Sequence, residues 1–275
     1  MKITFCGTGA GASYVADRGG SSVMIEVNGD AMLVDCGPGA VRRIYKAGVE
    51  FGAIKVILIT HLHYDHAVGL PELFNRFGRM GNDPPRILGP AGIADYIESC
   101  KRLITVSTSQ GLPPQLQALH GEQIVPGQVY EVGDFTADAI EVPHGPDIQA
   151  LSWRVRAEGS TVVVSGDLKT DEEFMVPFAS DADLLIHEAY SHEGLEALFA
   201  TLPTDYARES ARQYFEPTHS EVSVVAEIAE TADVKRLALT HLVPGEQEDV
   251  LVRTAQDHFS GEAFIAEPGH SLEIA

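Results

Sequence analysis

The sequence predicts a mixed α/β protein. Short apolar runs typical of strands alternate with helical patterns along all 275 residues. No repeat of fixed period and no Pro/Ser-rich linker divides the chain. We therefore expect one domain that spans residues 1–275, with the 44% hydrophobic content usual for a folded protein of this size.

The first half of the chain predicts a hairpin followed by a helix and a buried strand. Asn28-Gly29-Asp30 is a hairpin turn signal between two apolar runs, so the flanking strands should be antiparallel. Gly48 ends the first helical pattern. The predicted strands are 3–6, 22–27, 31–35 and 54–60; the predicted helices are 41–47, 70–77 and 91–104; residues 107–117 are predicted as a loop.

The second half predicts a run of strands and then alternating helices and strands. Strands are expected at 129–132, 135–142, 151–155, 161–165, 184–187, 237–240, 264–266 and 272–274. Helices are expected at 206–215, 222–231 and 247–258.

Charge and cysteine content limit the partners and the cell compartment. Forty acidic residues against 19 basic ones leave a net charge of −21, which repels polyanions, so long nucleic acid is not expected as a partner. Cys6, Cys36 and Cys100 are odd in number and widely separated, which argues against a disulfide framework and for reduced thiols. No apolar run approaches the length of a bilayer span, so we expect a cytoplasmic protein without a membrane partner.

The glycine-rich run Gly7-Thr8-Gly9-Ala10-Gly11-Ala12 matches a dinucleotide-binding pattern, but its surroundings do not. Such a site needs a helix opening there and an acidic residue after the next parallel strand. Residues 13–22 instead continue as a loop, and the next two strands form the hairpin. The run is therefore predicted to be a tight glycine turn.

The sequence THLHYDH, residues 60–66, follows a buried strand and carries three imidazoles and a carboxylate. A single histidine is more often a core or surface residue, whereas four such groups together indicate a metal site. His61 and His63 are two apart on an extended segment and can converge on one cation. Asp65 and His66 lie beyond, where a helix begins, and point elsewhere, so two neighbouring metals can share the four side chains.

Three further candidate ligands follow apolar runs later in the chain. His144 follows residues 139–143, Asp167 follows residues 162–166, and His241 follows residues 237–240. Loops at strand ends are where rigid scaffolds hold reactive groups, so this repeated placement is informative.

With these motifs the chain resembles the metallo-β-lactamase superfamily, over essentially its whole length. The resemblance rests on T-H-x-H-x-D-H, the VPHG around His144, the SGD that ends at Asp167 and the TH that ends at His241, with GTG at 7–9 and VDCGPG at 34–39. It implies an αββα sandwich of two mixed sheets flanked by helices. It also implies one metal held by His61, His63 and His144, a second held by Asp65, His66 and His241, and Asp167 as the bridge between them.

The chemistry expected of such a site is hydrolysis. Two divalent ions, zinc foremost with manganese or iron as alternatives, would lower the pKa of a shared water enough to give a metal-bound hydroxide at neutral pH. Asp65 would ligate and accept a hydrogen bond from that water. Asp35 is expected either to orient a ligating imidazole or to cap a turn, and the sequence leaves both roles open.

A narrower resemblance, to the ribonuclease Z and arylsulfatase-like branch, adds Glu188 and His219. It rests on LIHEAY at 185–190 and on Thr218-His219-Ser220, and it implies that His219 assists the leaving group beside Glu188. Together with Asp65, these are the candidate catalytic residues. The alternative is that His219-Ser220 caps the helix starting near residue 222. Four other histidines are predicted to be surface residues: His120, His192, His258 and His270.

The substrate expected from these features is a small ester. Ribonuclease Z carries a long arm for transfer RNA between the third histidine and the bridging aspartate, but His144 and Asp167 are only 23 positions apart here. We expect a dinuclear hydrolase of a small phosphodiester, with arylsulfatase or lactonase activity as alternatives. A non-catalytic metal-binding sensor is the alternative of another class, although none of the seven ligands is missing. The oligomeric state stays open, a homodimer being one option.

Overall fold

Two seven-stranded mixed sheets face each other, with helices on both outer sides. The protein is described from a computed structural model, which covers residues 1–11, 17–107, 109, 111–146 and 148–274. This arrangement confirms the predicted αββα sandwich. None of the helices in these ranges is long and apolar enough to cross a bilayer.

The regular elements follow in chain order. The strands are β1 (Lys2–Gly7), β2 (Ser22–Val27), β3 (Asp30–Val34), β4 (Ile54–Leu58), β5 (Arg86–Gly89), β6 (Gly121–Gln123), β7 (Tyr130–Val132), β8 (Phe135–Val142), β9 (Ala150–Ala157), β10 (Ser160–Val164), β11 (Leu184–Glu188), β12 (Arg236–Thr240), β13 (Glu262–Ile265) and β14 (Ser271–Glu273). The helices are α1 (Ala40–Lys46), α2 (Tyr64–Ala67), α3 (Leu70–Met80), α4 (Ile93–Val106), α5 (Glu172–Ala179), α6 (His192–Ala200), α7 (Asp205–Phe215), α8 (Val222–Thr231) and α9 (Glu248–His258).

Each sheet is antiparallel in one half and parallel in the other. The first sheet has the order β14-β1-β2-β3-β4-β5-β6, and it becomes parallel from β3 onward. The second has the order β13-β12-β11-β10-β9-β8-β7, with β10 to β13 parallel. The predicted β2–β3 hairpin is confirmed, and Asn28 and Gly29 both take the positive φ that a tight hairpin turn requires.

The main core lies between the sheets. Inward-facing side chains such as Phe5, Ile25 and Trp153 are fully buried there. The Trp153 indole N–H donates to the Ile59 carbonyl oxygen at 3.1 Å, and the Leu151 N–H donates to the Thr60 carbonyl oxygen at 2.9 Å. These bonds join the two sheets at the end of β4, where the THLHYDH run begins.

Two further apolar layers hold the helices against the outer faces. Side chains of α1, α3 and α4 pack on the first sheet, and those of α5, α8 and α9 pack on the second. A smaller cluster joins α6 and α7 through Leu195 and Phe199, with Phe215 packed against it. Each layer buries one apolar helix face, which is the main source of stability for helices of this length.

Four short elements were not predicted from the sequence: β5, β6, α5 and α6. α5 carries Pro177 in its interior, which normally argues against a helix, but its side chains Met175 and Phe178 are buried against the second sheet. β6 has only three residues and is paired to β5 by tertiary packing. The predicted glycine turn ends at Ala12, which together with residues 13–16 lies outside the described residues.

Candidate metal centre

The candidate ligands meet where the carboxyl ends of strands from both sheets come together. Asp35 follows β3, His61 follows β4 and His144 follows β8, while Asp167 and His241 follow β10 and β12. Backbone bonds hold the sheets together at this edge: Ala10 N–H donates to the Leu242 oxygen at 3.0 Å and Leu242 N–H to the Thr8 oxygen at 2.9 Å. The edge therefore brings all seven predicted ligands into one place.

The first donor group consists of three imidazoles and one carboxylate. His63 Nδ1 lies 3.0 Å from His61 Nε2 and 3.2 Å from His144 Nε2. Asp167 Oδ2 is 3.8 Å from both of those Nε2 atoms. One donor atom of each of the four side chains lies within 4.8 Å of the others.

The second donor group shares Asp167 with the first. His66 Nε2 lies 3.3 Å from Asp167 Oδ1, and His241 Nε2 lies 3.2 Å from Asp167 Oδ2 and 3.1 Å from Asp65 Oδ2. The four side chains offer donor atoms that all lie within 4.8 Å of one another. One carboxylate oxygen of Asp167 lies 3.3 Å from His66 Nε2, while the other lies 3.2–3.8 Å from Nε2 of His61, His144 and His241.

The donor atoms of these side chains are better placed to bind divalent cations than to form hydrogen bonds with one another. Among the described residues, buried His66 Nε2 and Asp167 Oδ1 have no hydrogen-bond partner, although buried polar atoms normally have one. Four nitrogen or oxygen donors arranged tetrahedrally around zinc lie about 3.3 Å apart, close to the separations found in the first group. Residues that could hold two ions are therefore present, and their assignment as ligands is taken up below as a proposal.

The charge states suit ligation. Burial, with the neighbouring histidines, lowers the pKa of His61 well below its usual value, and burial also lowers the pKa of His63 and His144, so these imidazoles are neutral donors at neutral pH. Burial alone would lower the pKa of His66, but the carboxylates of Asp167 and Asp35 raise it well above its usual value. The second group therefore attracts positive charge, from a proton or from a cation.

The two carboxylates of the donor groups remain ionised. Burial acts to raise the pKa of Asp167, but His241 and His66 hold it well below the usual value. Burial likewise opposes ionisation of Asp65, and the hydrogen bond from His241 with the charge of His66 lowers its pKa. Both groups thus supply negative oxygen donors.

Asp35 orients one of the imidazoles. Its Oδ2 accepts from His66 Nδ1 at 2.7 Å and from the Thr60 hydroxyl at 2.8 Å, and its Oδ1 accepts the Thr60 N–H at 2.8 Å. Because Nδ1 of His66 donates to Asp35, Nε2 is left free to ligate. Asp35 and His241 both have positive φ, at 59° and 57°, a conformation that costs energy for residues other than glycine and is often found at functional sites.

The glycine-rich run contributes to the site in a way that its sequence did not reveal. The Gly11 N–H donates to Asp65 Oδ2 at 2.6 Å. A Cβ at Gly7 would lie 1.8 Å from the Gly20 oxygen, so only glycine permits this close passage of two backbone segments. This contact depends on the packing of the turn against α2, so it could not be recognised from the sequence.

Glu188 and His219 form a hydrogen-bonded pair beside the second donor group. His219 Nδ1 lies 2.7 Å from Glu188 Oε2, and Glu188 Oε1 accepts the Leu168 N–H at 2.7 Å. Burial and the charge of Asp167 raise the pKa of Glu188 well above its usual value, whereas burial lowers that of His219. The helix-capping alternative for His219 does not apply, because the side chain that caps α8 belongs to Glu221.

A cleft of about 340 Å³ opens above the donor groups. Its polar wall includes Asp65, Asp167 and His219, and its apolar wall is formed by the following side chains: Tyr64, Leu198, Tyr214, Phe215, Val243 and Pro244. The His219 ring stacks on Phe215 at a centroid distance of 4.1 Å. A small molecule in this cleft would contact both donor groups and His219.

The four histidines predicted as surface residues, His120, His192, His258 and His270, are exposed.

Comparison with known proteins places these features in a family. A family model described as "Anti-Pycsar protein Apyc1" matches residues 1–226. The Ribonuclease Z of Natronomonas pharaonis is 30% identical and covers 100% of this chain and 98% of its own length, and that of Methanosarcina acetivorans is 29% identical with the same coverage.

Solved structures show the same architecture. The metallo-β-lactamase fold protein YhfI from Bacillus subtilis has a TM-score of 0.76 with 23% identity, and 99% of each chain is covered. The short form of human tRNase Z has a TM-score of 0.72 with 26% identity over 100% of both chains.

Proposed function

The chain belongs to the Anti-Pycsar protein Apyc1 family and is a ribonuclease Z-like member of the metallo-β-lactamase superfamily, and from this we propose that it is a dinuclear metal-dependent hydrolase of a small phosphodiester. The observation that carries the proposal is the pair of donor groups that share Asp167 at the base of a cleft. We assign His61, His63 and His144 to one ion, Asp65, His66 and His241 to the other, and Asp167 to both. Zinc is the proposed metal, since imidazole and carboxylate donors suit it.

Two ions bound there would supply Lewis-acid charge for the phosphoryl oxygens and would acidify a water molecule. The Gly11 N–H donates to Asp65 Oδ2 and so helps to orient the carboxylate. Asp65 can therefore ligate and also accept a hydrogen bond from the attacking water. The neutral imidazoles ligate without cancelling the positive charge that the reaction needs.

His219 is proposed as the acid for the leaving oxygen. Protonated Glu188 would donate to His219 Nδ1, so that the single N–H proton of the neutral ring lies on Nε2, and His219 lines the cleft. As the P–O bond breaks, Nε2 gives its proton to the leaving oxygen and Nδ1 takes the proton of Glu188, which becomes a carboxylate. Glu188 acts through His219 and is a positioning residue that also stores a proton.

The shortness of the segment between His144 and Asp167 favours a small substrate. The β9–β10 hairpin occupies these positions and leaves no residues for an arm that could grip transfer RNA. The net charge of −21 also opposes long polyanions. Transfer RNA is the alternative substrate that the experiments must test, because the chain is similar to Ribonuclease Z proteins and to human tRNase Z.

The first experiment measures metal content and hydrolysis together. Reconstituted protein should hold about two divalent ions per chain and cleave bis(p-nitrophenyl) phosphate faster than the matching phosphomonoester, sulfate or a lactone. Asp167→Ala should lose both ions and the activity. The control Asp183→Ala removes a carboxylate paired with Lys235 and should keep both ions and the activity. One ion per chain after reconstitution would refute the dinuclear assignment.

The second experiment tests the His219–Glu188 pair with substrates of differing leaving groups. His219→Ala should retain both ions and lower turnover by about a hundredfold for an alkoxide leaving group, but far less for nitrophenolate. Glu188→Gln can still donate to Nδ1 and should retain more activity than Glu188→Ala. Equal losses for both leaving groups would remove His219 from the acid role.

The third experiment compares the small phosphodiester with precursor transfer RNA at physiological salt. We expect weak binding and slow cleavage of the RNA. Efficient maturation of the RNA would overturn the small-substrate proposal while leaving the metal assignment untouched.

A further inference from the structure

The basic residues of this acidic chain are unevenly paired. Among the residues that the structure describes, ten of the 19 lysines and arginines form an ion pair with a carboxylate. Five that form none lie on α1 and α3: Arg42, Arg43, Lys46, Arg76 and Arg79. With 40 acidic residues in the chain, carboxylates are plentiful, so this local lack of partners needs a reason.

Arg42, Arg76 and Arg79 line one cavity of about 440 Å³ on the outer side of the first sheet. Tyr45, which is 67% exposed, and Asn75 also line it. No residue of this cavity lines the metal cleft. The cavity is therefore a separate site on the same chain.

Two of the three guanidinium groups, those of Arg76 and Arg79, have contacts that do not neutralise them. That of Arg76 lies 5.2 Å from the ring centre of Phe51 and 6.0 Å from that of Tyr45. Arg79 Nε donates to Asn75 Oδ1 at 3.3 Å. Contacts with aromatic rings and with a neutral amide fix the side chains but leave their charge for a ligand.

Glu72 also lines the cavity and stands four residues before Arg76 on α3, a spacing that commonly gives an ion pair. No such pair forms. Three guanidinium groups face one carboxylate in this cavity, so its net charge is positive and favours an anion.

From this we propose that Arg42, Arg76 and Arg79 form a binding site for a small phosphorylated molecule that carries at least two negative charges. The planar guanidinium matches phosphate oxygens with paired N–H donors. The volume suits a small molecule, and the surrounding charge of −21 disfavours a long polyanion at the same place.

The test is equilibrium dialysis of labelled tripolyphosphate against the metal-loaded protein. The wild-type chain should bind two equivalents, one at the metal cleft and one between α1 and α3. Arg42→Glu/Arg79→Glu should lose the second equivalent or bind it at least about tenfold more weakly, because two charge-assisted contacts are removed. Arg102→Glu/Arg253→Glu, which makes the same charge change at exposed arginines without an ion pair, should bind like the wild type.

Three results would overturn the proposal. The first is a wild-type chain that binds no more tripolyphosphate than Arg42→Glu/Arg79→Glu does, however much of it is bound at the metal cleft. The second is that the wild-type chain binds single-stranded RNA more strongly than tripolyphosphate and with a steep salt dependence, and that only Arg42→Glu/Arg79→Glu loses this binding. That result would indicate a surface for a long polyanion. The third is conversion of a dimer to a monomer by the same variant in sedimentation, which would assign the surface to self-association. Hydrolysis of bis(p-nitrophenyl) phosphate should be unchanged in both variants, so the outcome is independent of the proposed function.

Discussion

Replacing Asp35 by asparagine should weaken metal binding at the second donor group. Asp35 accepts three hydrogen bonds, from His66 Nδ1, the Thr60 hydroxyl and the Thr60 N–H, within 2.7–2.8 Å. An asparagine amide has one oxygen, so its NH₂ must face either the Thr60 N–H or the donors on the other side. If the NH₂ faces the Thr60 N–H, two buried donors meet there. If it faces the other side, His66 Nδ1 and the Thr60 hydroxyl lose their acceptor, and His66 is no longer held with Nε2 toward the ligand position.

The size of the effect follows from the number of contacts changed. Loss of the outer partner of a ligating histidine typically reduces metal affinity by about 10- to 100-fold, which corresponds to about 1.4–2.7 kcal/mol. The ion of the second donor group should therefore be removed at a chelator concentration about ten- to a hundredfold lower than in the wild type. The first ion should be affected less, because Asp35 does not contact His63 or His144.

Chelator competition on the metal-loaded protein measures both steps. Asp138→Asn serves as the control, since Asp138 is a buried aspartate bonded to Arg154 and Arg156 away from the donor groups. If Asp35→Asn and Asp138→Asn lower the melting temperature alike and both keep wild-type metal affinity, Asp35 only supports the turn after β3. That result would refute its orienting role.

Three further outcomes follow from the packing. Gly37→Ala should abolish metal binding or folding, because its Cβ would lie 2.1 Å from the Asp65 carbonyl oxygen; a soluble variant with two ions would contradict this. Phe74→Ala should lower the free energy of unfolding by about 3–5 kcal/mol in denaturant titrations, since the ring is fully buried. Burial raises the pKa of Cys6 and of Cys100 to about 12, so iodoacetamide at pH 8 should label both only after unfolding; rapid labelling of the native protein would show that they are accessible.

The local order of the fold was readable from the sequence because each element carries its own signal. The hairpin around Asn28-Gly29, the long strand β8 and helix α8 were predicted at or near their observed bounds. Alternation of apolar residues and turn chemistry act over a few residues, so no knowledge of distant contacts is needed. α5, with Pro177 in its interior, was missed because burial against the sheet stabilises it against its local propensity.

The sequence by itself also determined which residue types stand at strand ends, and therefore the candidate donors from His61 to His241. Only the tertiary structure decided their grouping, because the separation of His144 from His63 depends on how the two sheets approach each other. The same holds for the Gly11 N–H on Asp65, for the His219–Glu188 pair and for the arginines between α1 and α3. Spacing along a chain sets the direction of a side chain within one element, whereas contacts between elements depend on the packing of the whole core.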